Sequence, residues 1–246
     1  MNLYYLHLGL QYNDYIMTDN ELRYEFQQRT NFKDDYLSKA IRKHKFKTDG
    51  TFNMIAISTT EFEIKPTHLV SSDVLEVTLA FDRKRYEDSK ETNDCSYYLE
   101  LLELGFKKAS EFKSIPLETL LNITEKFKQG GCKNEWVHKK KRFKEDDIEI
   151  LLNCEFNARY FQLILTVNQL STKNELLRGV VMRTEAGISI HSGMYKDIIV
   201  DDKHILITGR SDEIRIKIDK QAAKNGRLKY RILGDDEIIK ILSYDL

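Results

Sequence analysis

The sequence has few cysteines and few prolines. Its three cysteines, Cys95, Cys132 and Cys154, are an odd number without CxxC spacing, whereas a secreted disulfide framework usually has an even set. We therefore expect reduced thiols and a cytoplasmic protein. Only two prolines occur and there is no Gly/Ser-rich or Pro-rich linker, which favours compact packing over a string of separate modules.

Long apolar runs and an excess of one charge are also missing. No apolar run approaches the roughly 20 residues that a membrane helix needs, and the start, MNLYYLHLGL, lacks the basic region of a signal peptide. Lys plus Arg and Asp plus Glu both number 39, so the formal net charge is zero. A non-specific nucleic-acid binder usually has a basic excess, so nucleic acid is a less expected partner than protein, and we expect no membrane association.

What is present indicates a folded chain. Hydrophobic residues make up 41% and charged residues 32% of 246 residues, which argues against disorder. A chain of this length buries enough surface to fold without a disulfide or a metal.

The hydrophobic pattern predicts an α+β fold with mostly antiparallel sheets. Thr18 to Glu21 has the form of a capping box, and Asn31 is a second helix cap, so an N-terminal helical pair is expected. A central helix hairpin is predicted next, its second helix delimited by Pro116 and by Gly130–Gly131. After Asn134 the chain alternates apolar and polar residues and predicts a β-rich C-terminal half.

The domain prediction is a single α+β domain over 1–246. The almost wholly polar segment 83–94 is the best candidate for a connection, which would divide the chain into subdomains 1–82 and 95–246. Asn93 or Asp94 is expected to cap the helix that follows.

Local motifs for catalysis or cofactor binding are absent. The six histidines have no HExxH, HxxxH or HxH spacing, no GxSxG elbow occurs, and neither GxxxxGK[ST] nor GxGxxG is found. We therefore predict no catalytic residues, no metal site and no cofactor.

One short pattern supports an alternative. Asp49 precedes a predicted β-hairpin whose second arm carries Glu63, Ile64 and Lys65. This arrangement resembles the core of the PD-(D/E)xK nuclease family over about 17 residues. The resemblance implies that Asp49 and Glu63 hold a divalent ion such as Mg²⁺ and that Lys65 helps to activate water. Pro66 follows directly, where that family expects a helix.

A basic run flanked by aromatic residues is the main candidate for binding. The residues of this basic arm that we single out are Trp136, His138, Lys139, Lys140, Lys141, Arg142 and Phe143. Lysines with interleaved aromatics can contact phosphates and bases, can form a protein-contact surface, or can simply protect a solvated sheet edge. All three interpretations stay open on the sequence.

The function expected from these features is that of a non-enzymatic cytoplasmic binding protein that acts by protein–protein occlusion. Its most concrete form is a bacterial immunity or antitoxin-like protein that neutralises a toxin. Tyrosine, tryptophan and arginine are favoured interface anchors, and the chain has 13 Tyr and 12 Phe. The alternative is a metal-dependent nuclease that uses Asp49, Glu63 and Lys65. The oligomeric state is left open.

Overall fold

A computed structural model of the chain describes residues 1–70, 73–92 and 95–246. The fold is α+β, as predicted, with a strand-rich C-terminal half. The chain divides into two compact units, Met1–Lys133 and Asn134–Leu246. The possible boundary between subdomains that was expected from the sequence, segment 83–94, lies elsewhere in the chain. Residues Arg83–Thr92 of that segment form a helix.

The first unit contains a four-stranded mixed sheet. Its strands are β1 (Tyr5–Leu10), β2 (Met54–Thr60), β3 (His68–Val70) and β4 (Val74–Ala80), in the order β1-β2-β4-β3. Strands β1, β2 and β4 are parallel, and only β3 is antiparallel to its neighbour. The predicted β-hairpin after Asp49 is wrong, because Glu63, Ile64 and Lys65 of its second arm lie outside any strand. A long helix connects β1 to β2, and such a crossover permits parallel pairing.

The helices of the first unit are α1 (Tyr12–Tyr15), α2 (Asn20–His44), α3 (Arg83–Thr92), α4 (Ser96–Phe112) and α5 (Leu117–Gln129). The N-terminal helical pair is in fact one long helix, α2, because no Gly or Pro interrupts it and Asn31 lies inside it. The Asp19 side chain accepts from the Leu22 N–H at 3.2 Å and caps its start. Lys45, with φ 48°, ends it in a left-handed conformation.

Helix α2 also covers the free edge of β1. Its Ser38 hydroxyl accepts from the Leu6 N–H at 3.0 Å, and its Asp34 carboxylate accepts from the Leu8 N–H at 3.2 Å. Side chains of the helix therefore satisfy backbone donors that an edge strand would otherwise expose.

Helix α3 replaces the predicted polar connection. Tyr86 is fully buried within this otherwise charged segment. Arg85 pairs with Glu100 at 2.6 Å, and Lys90 pairs with Glu25 at 3.1 Å. A helix that is polar almost all round is held by such pairs. The predicted caps Asn93 and Asp94 lie outside the described residues.

The central helix hairpin is confirmed as α4 and α5, which pack against each other. Cys95, at the start of α4, and Cys132, after the end of α5, form a disulfide across a sequence separation of 37. The expectation of reduced thiols is therefore wrong for this pair, because the hairpin brings together two cysteines that are distant in the sequence. Cys154 is buried and does not take part in this disulfide.

The second unit consists of two antiparallel sheets. The first is the meander β5 (Asn134–Phe143), β6 (Ile148–Phe156), β7 (Tyr160–Gln169) and β8 (Glu175–Glu185). The second contains β9 (Asp197–Val200), β10 (His204–Thr208), β11 (Ile214–Asp219) and β12 (Tyr230–Ile232). Strand β5 lies beside β9 and β8 beside β12, so the alternating buried Ile and Leu residues of both sheets share one core.

Three short helices complete this unit: α6 (Ile188–His191), α7 (Lys220–Lys224) and α8 (Asp236–Leu242). The last of these helices, α8, is capped by the Asp235 side chain, which accepts from the Ile238 N–H at 2.8 Å. No helix within the described ranges is long and apolar enough to span a membrane.

Candidate functional site

The basic arm is strand β5, at the edge of the first sheet of the second unit. Its cations are neutralised within that unit. Lys139 and Lys141 point to one face and reach the same carboxylate, Asp197 on β9, at 3.4 and 2.7 Å. Burial opposes ionisation of this carboxyl, but the Lys141 ammonium outweighs it and lowers the pKa of Asp197 to about 2.

The cations on the opposite face of the arm also pair with a carboxylate. Lys140 and Arg142 lie 3.0 and 2.8 Å from the carboxylate of Glu149, which is a residue of the neighbouring strand β6. Arg142 and Lys140 lower the pKa of Glu149, whose side chain is only 7% exposed. A partner that used these cations would have to compete with Asp197 or Glu149.

The aromatic residues of the arm pack inward. The Trp136 ring lies 6.1 Å from that of Phe161, and the His138 ring meets Tyr195 edge-on at 4.7 Å. The register shifts between Val137 and Lys139, at a β-bulge that contains His138. The His138 Nε2 atom lies 3.0 Å from the carbonyl oxygen of Lys196, and Phe143 ends the strand, half-buried. These contacts give the arm a role in holding the second unit together.

The residues of the nuclease-like pattern are not brought together. Asp49 precedes β2 and accepts from Lys113 at 2.6 Å, which lowers the pKa of its carboxyl. Glu63 and Lys65 follow the same strand and lie outside any strand. The seven residues of β2 lie between them, a span of roughly 20 Å at about 3.3 Å per residue. In the described part of the chain, no group of three or more His, Cys, Asp or Glu is placed to hold a metal.

A different surface stands out in the first unit. We call it the aromatic rim and define it by Tyr12, Met17 and Phe62, whose relative exposures are 56%, 89% and 57%. Because β1 and β2 are parallel, their carboxyl ends meet at one edge of the sheet. Tyr12 follows β1 and Phe62 follows β2, so both side chains lie at that edge.

The buried residue Tyr15 contacts the rim at Phe62. The rings of Tyr15 and Phe62 meet edge-on at 5.9 Å. The Tyr15 hydroxyl accepts from the Glu61 N–H at 3.0 Å, and the Thr60 hydroxyl donates to Asp14 at 2.6 Å. The backbone that carries the rim is therefore fixed by side chains from both strand ends.

Charged groups next to the rim form a closed network. Arg83 lies 2.8 Å from Glu61 and 3.0 Å from Asp19. The Arg83 hydrogen bond lowers the pKa of both carboxyls. Arg23 covers the Tyr12 ring at 5.1 Å. The surface thus combines exposed apolar side chains with charges that already have partners.

No local sequence pattern indicates this rim, because its members come from two separate segments that follow the parallel strands β1 and β2. The one sequence feature that points to the rim is weak: large apolar residues occur in connecting segments that have no periodic pattern. Comparisons of the chain with protein-family models, with curated proteins and with solved structures found no match.

Proposed function

We propose that the chain is a binding protein that occludes a protein partner through the aromatic rim. The observation that carries this proposal is that Tyr12, Met17 and Phe62 are all exposed in the segments that follow the neighbouring parallel strands β1 and β2. Single exposed apolar residues are ordinary on a protein surface, whereas a group of them indicates a contact site.

The composition of the rim fits a protein partner. Aromatic residues, Met and Arg are enriched in protein–protein interfaces, and the rim combines Tyr, Met and Phe with Arg83 at its border. Its backbone supports are already formed, so binding would require little ordering of the chain, and this favours affinity. The basic arm is a less favourable contact surface for a partner, because its cations already pair with Asp197 and Glu149.

The specific version of this role is neutralisation of a bacterial toxin, as an immunity or antitoxin-like protein does. Occlusion predicts that a stoichiometric amount of the chain abolishes the activity of its partner. It also predicts that the chain needs no cofactor or turnover for this effect.

The test compares two phenylalanines of similar exposure in the same unit. Phe62 belongs to the rim and is 57% exposed, while Phe112 at the end of α4 is 49% exposed. The wild-type chain is used to capture a partner from its native host, and the purified partner is then titrated with each variant. Phe62→Ser should weaken binding by about tenfold or more, as expected for an interface anchor.

Phe112→Ser serves as the control for a general effect of removing an exposed ring. Equal affinities for the wild type and the Phe62→Ser variant would show that the rim is not the contact surface. A captured partner that keeps its full activity in the complex would contradict occlusion.

A further inference from the structure

An open groove of about 490 Å³ lies on the second sheet of the second unit. Its volume is within the range of small-molecule sites in proteins, roughly 300–1,000 Å³. The residues that line it on β10, β11 and β12 include His204, Lys217, Asp219, Lys229, Arg231 and Leu233. Because these residues supply three cations and one carboxylate, the groove carries an excess of positive charge.

Two of the cations stand directly opposite each other on neighbouring strands. Lys217 of β11 pairs with Arg231 of β12 in antiparallel register, so their side chains leave the same face of the sheet with Cβ atoms roughly 5 Å apart. Both residues are exposed, whereas Ile216 and Ile218, on either side of Lys217, are fully buried on the other face. Like charges directly opposite each other destabilise a sheet, and an anion between them would offset this repulsion.

Within the described ranges, neither Lys217 nor Arg231 forms an ion pair or a side-chain hydrogen bond. The carboxylate of the groove, Asp219, is held at the start of α7, where it accepts from the Ala222 N–H at 2.9 Å. Its other oxygen lies 4.0 Å from the ammonium nitrogen of Lys229, whose side chain is 80% exposed. The pair therefore differs from the four cations of the basic arm, which all lie within 3.4 Å of a carboxylate.

The arrangement of these cations fits a phosphate group. A phosphate monoester carries a charge of about −1.5 to −2 at pH 7 and offers three acceptor oxygens. The planar guanidinium of Arg231 can donate to two of them, and the ammonium group of Lys217 to the third. The carbonyl oxygen of Lys229 accepts from the Asp219 N–H at 2.9 Å, which continues the strand pairing and puts Lys229 on the same face as Arg231.

The limited extent of the cationic surface favours a small ligand over a polynucleotide. Nucleic-acid binders neutralise several phosphates along an extended basic surface. Here carboxylates interrupt the cations, because Asp219 lies in the groove and Asp201, 49% exposed, lies 3.3 Å from His204. These acids would repel further phosphates. Leu233 also lines the groove and provides an apolar contact for the organic part of a ligand.

We propose that this groove binds the phosphate group of a small ligand through Lys217 and Arg231, with Lys229 as a third cation. The site lies within the second unit and does not rest on the function proposed for the aromatic rim. Binding exchanges the repulsion between the two opposed cations for charge-assisted hydrogen bonds to phosphate oxygens, which are the stronger class of hydrogen bond.

The experiment is a calorimetric titration of the full chain in a phosphate-free buffer. The probes are inorganic phosphate, glycerol 3-phosphate and adenosine 5′-monophosphate, and the controls are glycerol, adenosine and acetate. At least one probe should bind about tenfold or more tightly than any control, since charged hydrogen bonds contribute on this scale. The probe that binds most tightly shows whether the groove takes free phosphate, a phosphorylated alcohol or a nucleotide.

Lys217→Gln and Arg231→Gln should each weaken the binding of that probe by about tenfold or more. Lys240→Gln, which changes an exposed lysine of α8 outside the groove, is the matched control and should bind like the wild type. The probe should also raise the melting temperature of the wild type and of Lys240→Gln, because a ligand that binds only the folded state stabilises it. It should leave the melting temperature of Lys217→Gln nearly unchanged.

The proposal is overturned if no probe binds more tightly than the controls, or if either Lys217→Gln or Arg231→Gln binds the probe as the wild type does. A single-stranded oligonucleotide is titrated in parallel. If it binds about tenfold or more tightly than adenosine 5′-monophosphate, with a steep dependence on salt, the cations belong to a nucleic-acid surface instead, and this result also overturns the proposal.

Discussion

Lys33 provides the sharpest test of the packing in the first unit. It is 2% exposed on α2, and its ammonium nitrogen lies 3.8 Å from the centre of the Tyr98 ring and 4.2 Å from that of Phe32. The nitrogen also donates to the carbonyl oxygen of Arg29 at 2.6 Å. Burial disfavours the charged form and lowers the pKa of Lys33 to about 7.

This shift makes stability depend on pH in a defined direction. In the unfolded chain a lysine titrates near 10.4, so between about pH 7 and pH 10 the unfolded state binds a proton that the folded state has released. Stability therefore rises with pH in this window, by up to about 1.4 kcal/mol per pH unit. Below pH 7 the full cost of charging a buried amine is present, which amounts to at most about 5 kcal/mol, and cation–π contacts recover about 1–2 kcal/mol of it.

Lys33→Met removes the amine and keeps the aliphatic volume. Urea unfolding of the wild type and the variant should show the variant more stable by about 2–5 kcal/mol at pH 6, with the difference shrinking towards zero by pH 10. Comparing the two proteins at each pH cancels the titration of other groups. Lys39→Met on the same helix, where the lysine is 41% exposed and pairs with Asp35 at 2.6 Å, should show no such trend. A destabilising Lys33→Met at pH 6, or a difference that does not change with pH, would refute the reasoning.

Three further predictions concern the contacts that hold each unit. Replacing Cys95 and Cys132 by serine should cost about 4 kcal/mol of unfolding free energy from loop closure over 37 residues; urea unfolding that reductant leaves unchanged would contradict this. Lys141→Glu places a second carboxylate beside Asp197 and should lower the free energy of unfolding by about 1–3 kcal/mol. In a double-mutant cycle followed by thermal melting, the additional change Asp197→Lys should restore part of this stability. An unchanged melting temperature in the single variant would show that the pair contributes nothing. Gly105→Ala should cost about 1–3 kcal/mol, because its Cβ would clash with the side chain of buried Ile57; wild-type stability in urea would show that the helix–sheet contact is loose.

The parts of the fold that could be predicted are those with a local cause. Pro116 and Gly130 delimit α5 through their own backbone preferences, and the isoleucines of β11 alternate because one face of its sheet is buried. The α+β class and the central helix hairpin were predicted from such local signals. Helix α2 was divided in two because Asn31 is a good cap in isolation, although packing against β1 keeps the helix continuous through it.

The rest depended on contacts between distant residues. The parallel order of β1, β2 and β4 is decided by the crossover helix, and the Cys95–Cys132 bond by the antiparallel course of α4 and α5. Because Cys95 and Cys132 are bonded, the cysteines no longer indicate a reducing compartment. The basic arm was recognised from its composition, but its neutralisation by Asp197 arises from the meeting of two sheets, which no local pattern shows.

The candidate sites illustrate the same limit. The sequence separates Tyr12 from Phe62, and both follow parallel strands whose carboxyl ends meet at one edge of the sheet. By contrast, Asp49 and Glu63 are close in sequence and are set apart by the length of β2. Short spacing suggested a site in the second case, but the seven residues of β2 lie between Asp49 and Glu63.

The central claim is that the chain binds a protein through the aromatic rim, and the dissociation constant of the captured partner tests it most directly. Our account predicts that Phe62→Ser raises this constant by about tenfold or more while Phe112→Ser leaves it unchanged, both variants remaining folded by circular dichroism. Unchanged binding by Phe62→Ser, or equal losses in the two variants, would contradict the account.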